Sequence, residues 1–312
     1  MLTDNKEVDI LSYAPENGSW KKFSNAPVLG NIDTGTVFEP FVLEENGKYR
    51  MYFSWRPKKS IALAISTDGV NWTEPIIILS PKLNTGWEDD LNRCAVIKKE
   101  DGYHMWYCGQ ARGRTWIGYA ISIDGYEWTR HGNMPVMIPE YPWEFRSVMC
   151  PHVLWDEEDG LFKMWYSGGE TYEPDAIGYA TSVDGINWLK HPTNPIFVPN
   201  GDFPWEQDKV TACQVDKQDG WYVMFYIGFE DLHTARIGIA RSPDGITRWE
   251  RNPHNPIIAP TPNAWDGDAC YKPFAIWNRE QNKWLLWYNG RKAAPEYIGL
   301  AIHAGYDLGF DN

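Results

Sequence analysis

The chain predicts an all-β fold, a single five-bladed β-propeller over residues 1–312 with four antiparallel strands in each blade. Three observations carry this reading. A signature built around an Asp-Gly pair recurs about every sixty residues, in AISTDGVNW, AISIDGYEW, ATSVDGINW and ARSPDGITRW, centred on Asp68, Asp124, Asp184 and Asp244. An aromatic run precedes each copy (MYFSW, MWYCG, MWYSGG, MFYIG), and a fifth run, LLWYNG, lies at 285–290. No stretch of comparable length spaces its apolar residues at the 3.6-residue period of a helix. Radial repetition of four-stranded units of this size makes a propeller.

Within a unit an apolar strand comes first (FVL, AVI, HVLW, QVD or FAIW), followed by a turn with Gly or Asn and then the aromatic strand. A loop, a strand such as IGYAIS, the Asp-Gly turn and a strand opened by Trp complete it. Asp-Gly between alternating apolar runs is a hairpin signal because Gly accepts positive φ. The fifth unit ends at YIGLAIHAGYDLGF with no hairpin after it, so its outer strand must come from elsewhere. The segment NGSWKKFSNAPVL at 17–29 matches DGINWLKHPTNPIF at 184–197, setting Trp20 on Trp188 and Pro27 on Pro195. Residues 16–30 are therefore expected to complete the fifth blade and remove an open edge.

Composition narrows the function. With 29 Lys+Arg against 42 Asp+Glu, the net charge of −13 disfavours a nucleic-acid partner. No apolar run reaches the roughly 18 residues of a membrane span, and MLTDNKEVDI lacks the basic and apolar regions of a signal peptide. The expectation is a soluble, cytoplasmic protein, or a secreted one where a signal has been removed. The five cysteines are scattered, with no CxxC pair, so they read as buried small side chains; no metal and no organic cofactor are expected.

In a propeller the first strand of each blade starts beside the axis, so residues at one level of those strands converge. Aligning FEPFVL, NRCAVI, MCPHVL, TACQVD and YKPFAI puts Glu39, Arg93, Cys150, Ala212 and Lys272 at one level. Four residues earlier, on the same strand face by the period of two, stand Gly35, Asp89, Arg146, Asp208 and Asp268, with Asp90 an alternative to Asp89. The loops after the aromatic strands add Glu170, Glu230 and Arg291, and Trp55 and Trp116 are expected to stack on sugar rings. Trp87, Trp143, Trp205 and Trp265 recur ahead of the first strand and read mainly as packing. Both levels differ from blade to blade, which favours one central site over a site repeated in every blade.

The blade repeat, as in NGKYRMYFS, DGYHMWYCG and GLFKMWYSGG, each followed by a version of IGYAxSxDGxxW, resembles the five-bladed propeller glycosidases, the group that includes glycoside hydrolase families 43, 32, 62 and 130. The resemblance spans nearly the whole chain. It implies an enzyme that cleaves glycosidic bonds, with Glu39-Pro40 at the place of the Asp-Pro pair whose Asp is base or nucleophile in families 43 and 32. Other family carboxylates are not matched: Arg93-Cys94-Ala95 stands where family 32 has Arg-Asp-Pro, Met149-Cys150-Pro151 where it has its Glu-Cys-Pro acid, and Thr211 near the fourth-blade Glu of family 43. The chain is thus not a standard member of family 43 or 32, and its acid must come from Asp90, Asp208, Asp268, Glu170 or Glu230. Arg93, Arg146 and Lys272 resemble the basic pocket of the phosphorolytic members of family 130.

Glycosidic cleavage takes one carboxyl to protonate the leaving oxygen and another to activate water or attack the anomeric carbon. Basic neighbours keep a carboxylate ionised and acidic neighbours raise its pKa. The resulting expectation is a glycoside hydrolase with Glu39 as base and Asp208, beside Asp268, as acid. Asp90, Arg93, Arg146, Lys272, Glu170, Glu230, Arg291, Trp55 and Trp116 are expected to hold an oligosaccharide or glycoside, and the cations suggest an anionic group on the substrate or co-substrate. The alternatives are a phosphorylase using inorganic phosphate and a non-catalytic sugar-binding propeller.

Overall fold

The computed structural model describes residues 19–311. Among these the regular structure is strand, broken only by single-turn helical segments, so the fold is all-β. After a short strand β1 (Lys21–Lys22), the chain runs through successive antiparallel sets. The first is β2 (Val37–Glu45), β3 (Lys48–Trp55), β4 (Ser60–Ser66) and β5 (Ile76–Leu79), hydrogen-bonded in that order. The next is β6 (Asp90–Lys99), β7 (Gly102–Ala111), β8 (Arg114–Ser122) and β9 (Thr129–Arg130). Then come β10 (Ser147–Asp156), β11 (Leu161–Gly169), β12 (Ala176–Ser182) and β13 (Leu189–Lys190), and β14 (Lys209–Gln218), β15 (Trp221–Phe229), β16 (Ala235–Ser242) and β17 (Glu250–Arg251). The last set is β18 (Ala269–Asn278), β19 (Lys283–Arg291) and β20 (Glu296–Ala304).

β1 lies antiparallel on β20, with Lys21 opposite Ile302 and Lys22 opposite Ala301, and Leu29 bridges to Ile298. The chain's first described strand therefore covers the edge of its last. Residues 16–18 of the expected closing segment lie outside the described residues.

The sequence repeat has a physical cause at each position. In the Asp-Gly turn the Ser66 hydroxyl accepts the Gly69 N–H at 2.8 Å, and Asp68 Oδ1 accepts those of Val70 and Asn71, both at 2.8 Å. Asp124, Asp184 and Asp244 repeat this, each followed by a glycine at φ between 74° and 78°. The turn also keys one set to the previous one. The buried indoles of Trp106, Trp165 and Trp287 donate to the carbonyls of Gly185, Gly245 and Gly69 at 2.7–2.9 Å.

Trp87, Trp143, Trp205 and Trp265 pack, as their repetition suggested. Each ring lies on two glycines of its own set, Gly109 and Gly118 in the case of Trp87, where a Cβ would come within 2.5 Å of the indole. The acid that follows each Trp is buried and accepts a tyrosine hydroxyl: Glu88 from Tyr107, Glu144 from Tyr166, Glu206 from Tyr226 and Asp266 from Tyr288. A cation from the outermost strand neutralises each: Arg130, Lys190, Arg251 and, from β1, Lys22. The second strand of a set and its outermost strand are thereby tied through a polar triad in which the buried charge has a counter-ion.

Candidate active site

The aligned level of the sequence is a structural ring. β2, β6, β10, β14 and β18 each slip register against the next strand at the same place, and the residue at the slip has positive φ: Glu39 58°, Arg93 50°, Cys150 51°, Ala212 40° and Lys272 54°. These are β-bulges, which re-aim a side chain at a local backbone cost. The N–H released at the bulge is accepted from the preceding set: Ser54 Oγ takes that of Arg93 (2.8 Å), Cys108 Sγ that of Cys150 (3.3 Å), Ser167 Oγ that of Ala212 (2.9 Å) and Asn289 Oδ1 that of Glu39 (2.6 Å). Ile227 holds the corresponding place ahead of Lys272 and offers no acceptor.

Glu39 is the centre of the polar arc. Its Oε1 lies 2.7 Å from Arg93 Nε and 3.3 Å from Lys272 Nζ, and the Cys150 thiol approaches it at 3.8 Å. Glu39, Arg93 and Lys272 are all buried, and Glu39 Oε2 has no hydrogen-bond partner within the protein. Arg93 is held further by Asn92 Oδ1 at 3.0 Å and the Tyr172 carbonyl at 3.1 Å. Asn92 in turn donates to Gln110 Oε1 (3.0 Å) and to Asp90 Oδ1 (3.4 Å). The Phe38 ring carries three cations on its surface: Arg56 at 4.4 Å, Lys272 at 4.8 Å and Arg93 at 5.7 Å from its centre.

Burial works against the charge on Arg93, and the adjacent Glu39 more than offsets it, so the guanidinium stays charged with its pKa pushed up. Burial likewise pushes up the Cys150 thiol, with Glu39 adding to the effect, so the group beside the carboxylate is a neutral thiol. Asp90 is half-buried, and that burial raises its pKa against the Asn92 hydrogen bond.

At the ring is a cavity of about 50 Å³. Glu39, Arg93, Cys150, Ala212 and Lys272 line it, so it opens onto the ring itself, and Phe41, His152, Gln214 and Phe274 line it two places further along their strands. Burial depresses the His152 pKa to about 4, and its Nε2 donates to the Val215 carbonyl at 2.8 Å. Among the described residues no group of three or more His, Cys, Asp or Glu is placed to hold a metal ion.

The structure thus brings Glu39, Arg93 and Lys272 into direct contact and links Asp90 to them through Asn92. Arg146, Asp208, Asp268 and Glu170 are exposed. Arg146 lies over the Phe145 ring at 5.0 Å and Asp268 Oδ2 accepts the Ala293 N–H at 2.6 Å. Glu230 is paired with Arg236 at 2.5 Å, and Arg291 donates to the His233 carbonyl at 2.7 Å. Trp55 is half-buried with its indole on the Thr34 carbonyl at 2.9 Å, and Trp116 packs half-buried against the core.

Sequence reading passed over Phe38, Asn92, Tyr172, Tyr271 and Glu296, and took Glu173 for a solvated loop charge. Phe38, Asn92 and Tyr271 stand one place before a ring residue, a signal that was available. Glu173, whose charge is felt by both Arg93 and Tyr271, lies in the loop after β11, and Glu296, 3.5 Å from Arg56, opens β20.

Comparison with known proteins agrees with this architecture. The profile of the glycosyl hydrolases family 32 N-terminal domain matches residues 39–233. A 1,2-beta-oligomannan phosphorylase of Thermoanaerobacter sp. (strain X514) is 28% identical over 200 residues, which are 61% of this chain and 61% of that protein. The chain thus spans about three fifths of the length of that curated relative. A solved structure described as a glycoside hydrolase superposes with a TM-score of 0.75 at 18% identity, covering 92% of this chain and 93% of the other. A second, from work describing glycoside hydrolases that target beta-1,2 mannosidic linkages in Candida mannan within the GH130 family of mannoside phosphorylases, gives 0.71 at 17% identity over 95% and 99%. At such identities these structures speak to the fold, that of the propeller glycoside hydrolases.

Proposed function

The chain belongs to the family of the glycosyl hydrolases family 32 N-terminal domain, and from that premise we propose that it is an enzyme cleaving a glycosidic bond at the mouth of a five-bladed propeller. The observation that carries this reading is Glu39, a buried carboxylate on the axis with two cations on one oxygen and the other oxygen unpartnered. Arg93 and Lys272 fix Oε1, and Oε2 is left to accept a proton or approach an anomeric carbon.

In hydrolysis, Glu39 takes a proton from water as the water oxygen bonds to the anomeric carbon, and a second carboxyl gives its proton to the departing oxygen. Asp90 suits that second role better than Asp208 or Asp268: burial favours its protonated form, and Asn92 connects it to the Arg93–Glu39 pair. The oligomannan phosphorylase relative suggests β-1,2-linked mannosides as the first substrates to try.

A second reading, phosphorolysis, is favoured by the three cations gathered on Phe38. There a phosphate oxygen replaces water at the anomeric carbon and the product is a sugar 1-phosphate. Incubation with β-1,2-mannobiose and mannotriose, with and without inorganic phosphate, separates the two. Free mannose in both conditions supports hydrolysis, and mannose 1-phosphate formed only with phosphate supports phosphorolysis. Binding without turnover across a panel of mannosides and other glycosides would overturn the enzymatic reading in favour of a sugar-binding propeller.

A further inference from the structure

The face opposite the ring carries a groove of its own. β14 and β18 bring Ala212 and Lys272 to the ring near their beginnings, and Gln218 and Trp277 stand at or near their ends. At about 3.3 Å per residue, that end of the strands lies roughly 16–20 Å from the ring. There the β14–β15 turn, the β18–β19 turn and the segment after β20 enclose about 370 Å³, lined among others by Asp216, Gln218, Asp219, Trp277, Arg279 and Tyr306. The volume is that of a small-molecule site, whereas the cavity at the ring is about 50 Å³.

Two aromatic rings form a corner in this groove. Tyr306 meets Trp277 edge to face, with centroids 5.1 Å apart and planes at 70°. The buried Trp284 fixes the corner: its ring lies 5.5 Å from Trp277 and stacks on Tyr306 at 5.9 Å and 19°, and its indole N–H donates to the Tyr306 carbonyl at 3.0 Å. Tyr306 is nonetheless 37% exposed, and Trp277 is half-buried. A neighbouring groove of about 270 Å³ shares Gln218, Asp219 and Tyr306, but there Arg241 lies over both Trp221 (4.4 Å) and Phe310 (5.0 Å) and occupies their faces. The polar lining of the larger groove is balanced in sign, with Asp216 and Asp219 against Lys217 and Arg279, and Asp216 Oδ2 accepts from the Gln218 amide at 3.3 Å.

We infer that this groove is a second sugar-binding site, on the far face of the molecule from Glu39, which takes a neutral pyranose ring into the corner of Trp277 and Tyr306 and bonds its hydroxyls through Asp216, Gln218, Asp219 and Arg279. An aromatic corner takes up the apolar C–H face of a sugar. Carboxylate, amide and guanidinium together offer acceptors and donors, which matches hydroxyls that both donate and accept. Two acids against two bases leave no net charge to select an anion or a cation. The site holds a glycan without acting on it, and it does not depend on the glycoside-cleaving reading.

The test is calorimetric titration of the parent, Tyr306→Ala and Arg279→Ala with β-1,2-mannotriose, cellotriose and xylotriose, and with trigalacturonate and spermidine as charged controls. At least one neutral trisaccharide is expected to bind the parent with a Kd below about 10 mM. Tyr306→Ala should weaken that binding about tenfold and Arg279→Ala about fivefold, while turnover of any glycoside the parent cleaves stays as in the parent. If Tyr306→Ala melts far below the parent, Arg279→Ala, a change at an exposed residue, decides alone. Neutral trisaccharides bound equally well by both variants, no neutral trisaccharide bound at all, or tighter binding of trigalacturonate or spermidine would each overturn the site. A parent that cleaves no glycoside removes the proposed enzymatic function and leaves this site to be judged by binding.

Discussion

Glu39 is held by two cations and is the base of the proposed reaction, so its substitution tests both roles. Glu39→Gln leaves Arg93 and Lys272 buried without their counter-ion, a change of the kind that costs about 3–5 kcal/mol, so the melting temperature should fall. A lost general base typically costs on the order of 10²–10⁴ in rate. Turnover per folded molecule, with the folded fraction read by circular dichroism, should therefore drop by that factor; a loss no greater than the loss of folded protein would leave Glu39 a structural ion. If Asp90 is the acid as proposed, Asp90→Asn should remove the basic limb of the rate profile, since an acid must keep its proton to act. His152 gives a pH dependence of another kind. Its folded pKa of about 4 lies below the ordinary value of 6.5, so between these values the unfolded chain binds the extra proton and stability falls as pH falls. The loss amounts to about 3 kcal/mol from pH 6.5 to pH 4, and chemical denaturation at pH 7 and pH 4.5 should show it in the parent and not in His152→Gln. The ring itself was legible because its members share one strand position. Tyr172 was not: nothing in a lone ETYEPD reveals that its backbone will meet Arg93.

A single set of strands is stabilised by parts that recur, so one copy can be tested against the others. The triad of buried acid, tyrosine and outer-strand cation is the clearest such part, and Lys22 is the member contributed by β1. Lys22→Met should leave Asp266 buried beside Tyr288 without a cation and destabilise the protein by about 3 kcal/mol, read as a shift of the denaturation midpoint. Arg130→Met, opening the Glu88 triad, should cost a similar amount; a much smaller effect at Lys22 would mean that β1 is only loosely seated. The strand order within each set followed from the sequence because Asp-Gly turns and aromatic runs are local signals. The triads were harder to see, since Glu88, Glu144, Glu206 and Asp266 are each about 20 residues from their tyrosines. Their role as buried counter-ions appears only when the sheet is folded.

In the whole molecule, β1, the first described strand, pairs with β20, the last. Deleting residues 1–30 should strip the cation from Asp266 and bare the backbone edge of β20, which invites pairing with another chain. The truncated protein is expected to melt lower and to associate in size-exclusion chromatography; a monomer melting with the parent would show that the closure carries no stability. The five bulges have a different consequence, an evolutionary one. Each presents a side chain to the axis from an equivalent backbone conformation, so the ring works as a set of interchangeable sockets. A substitution at any of them rewrites the charge pattern of the mouth without asking the chain to fold differently. Descendants of such a scaffold can drift to unlike reactions while keeping one shape, and the Cys150 and Ala212 positions are where the next change of specificity would meet the least resistance.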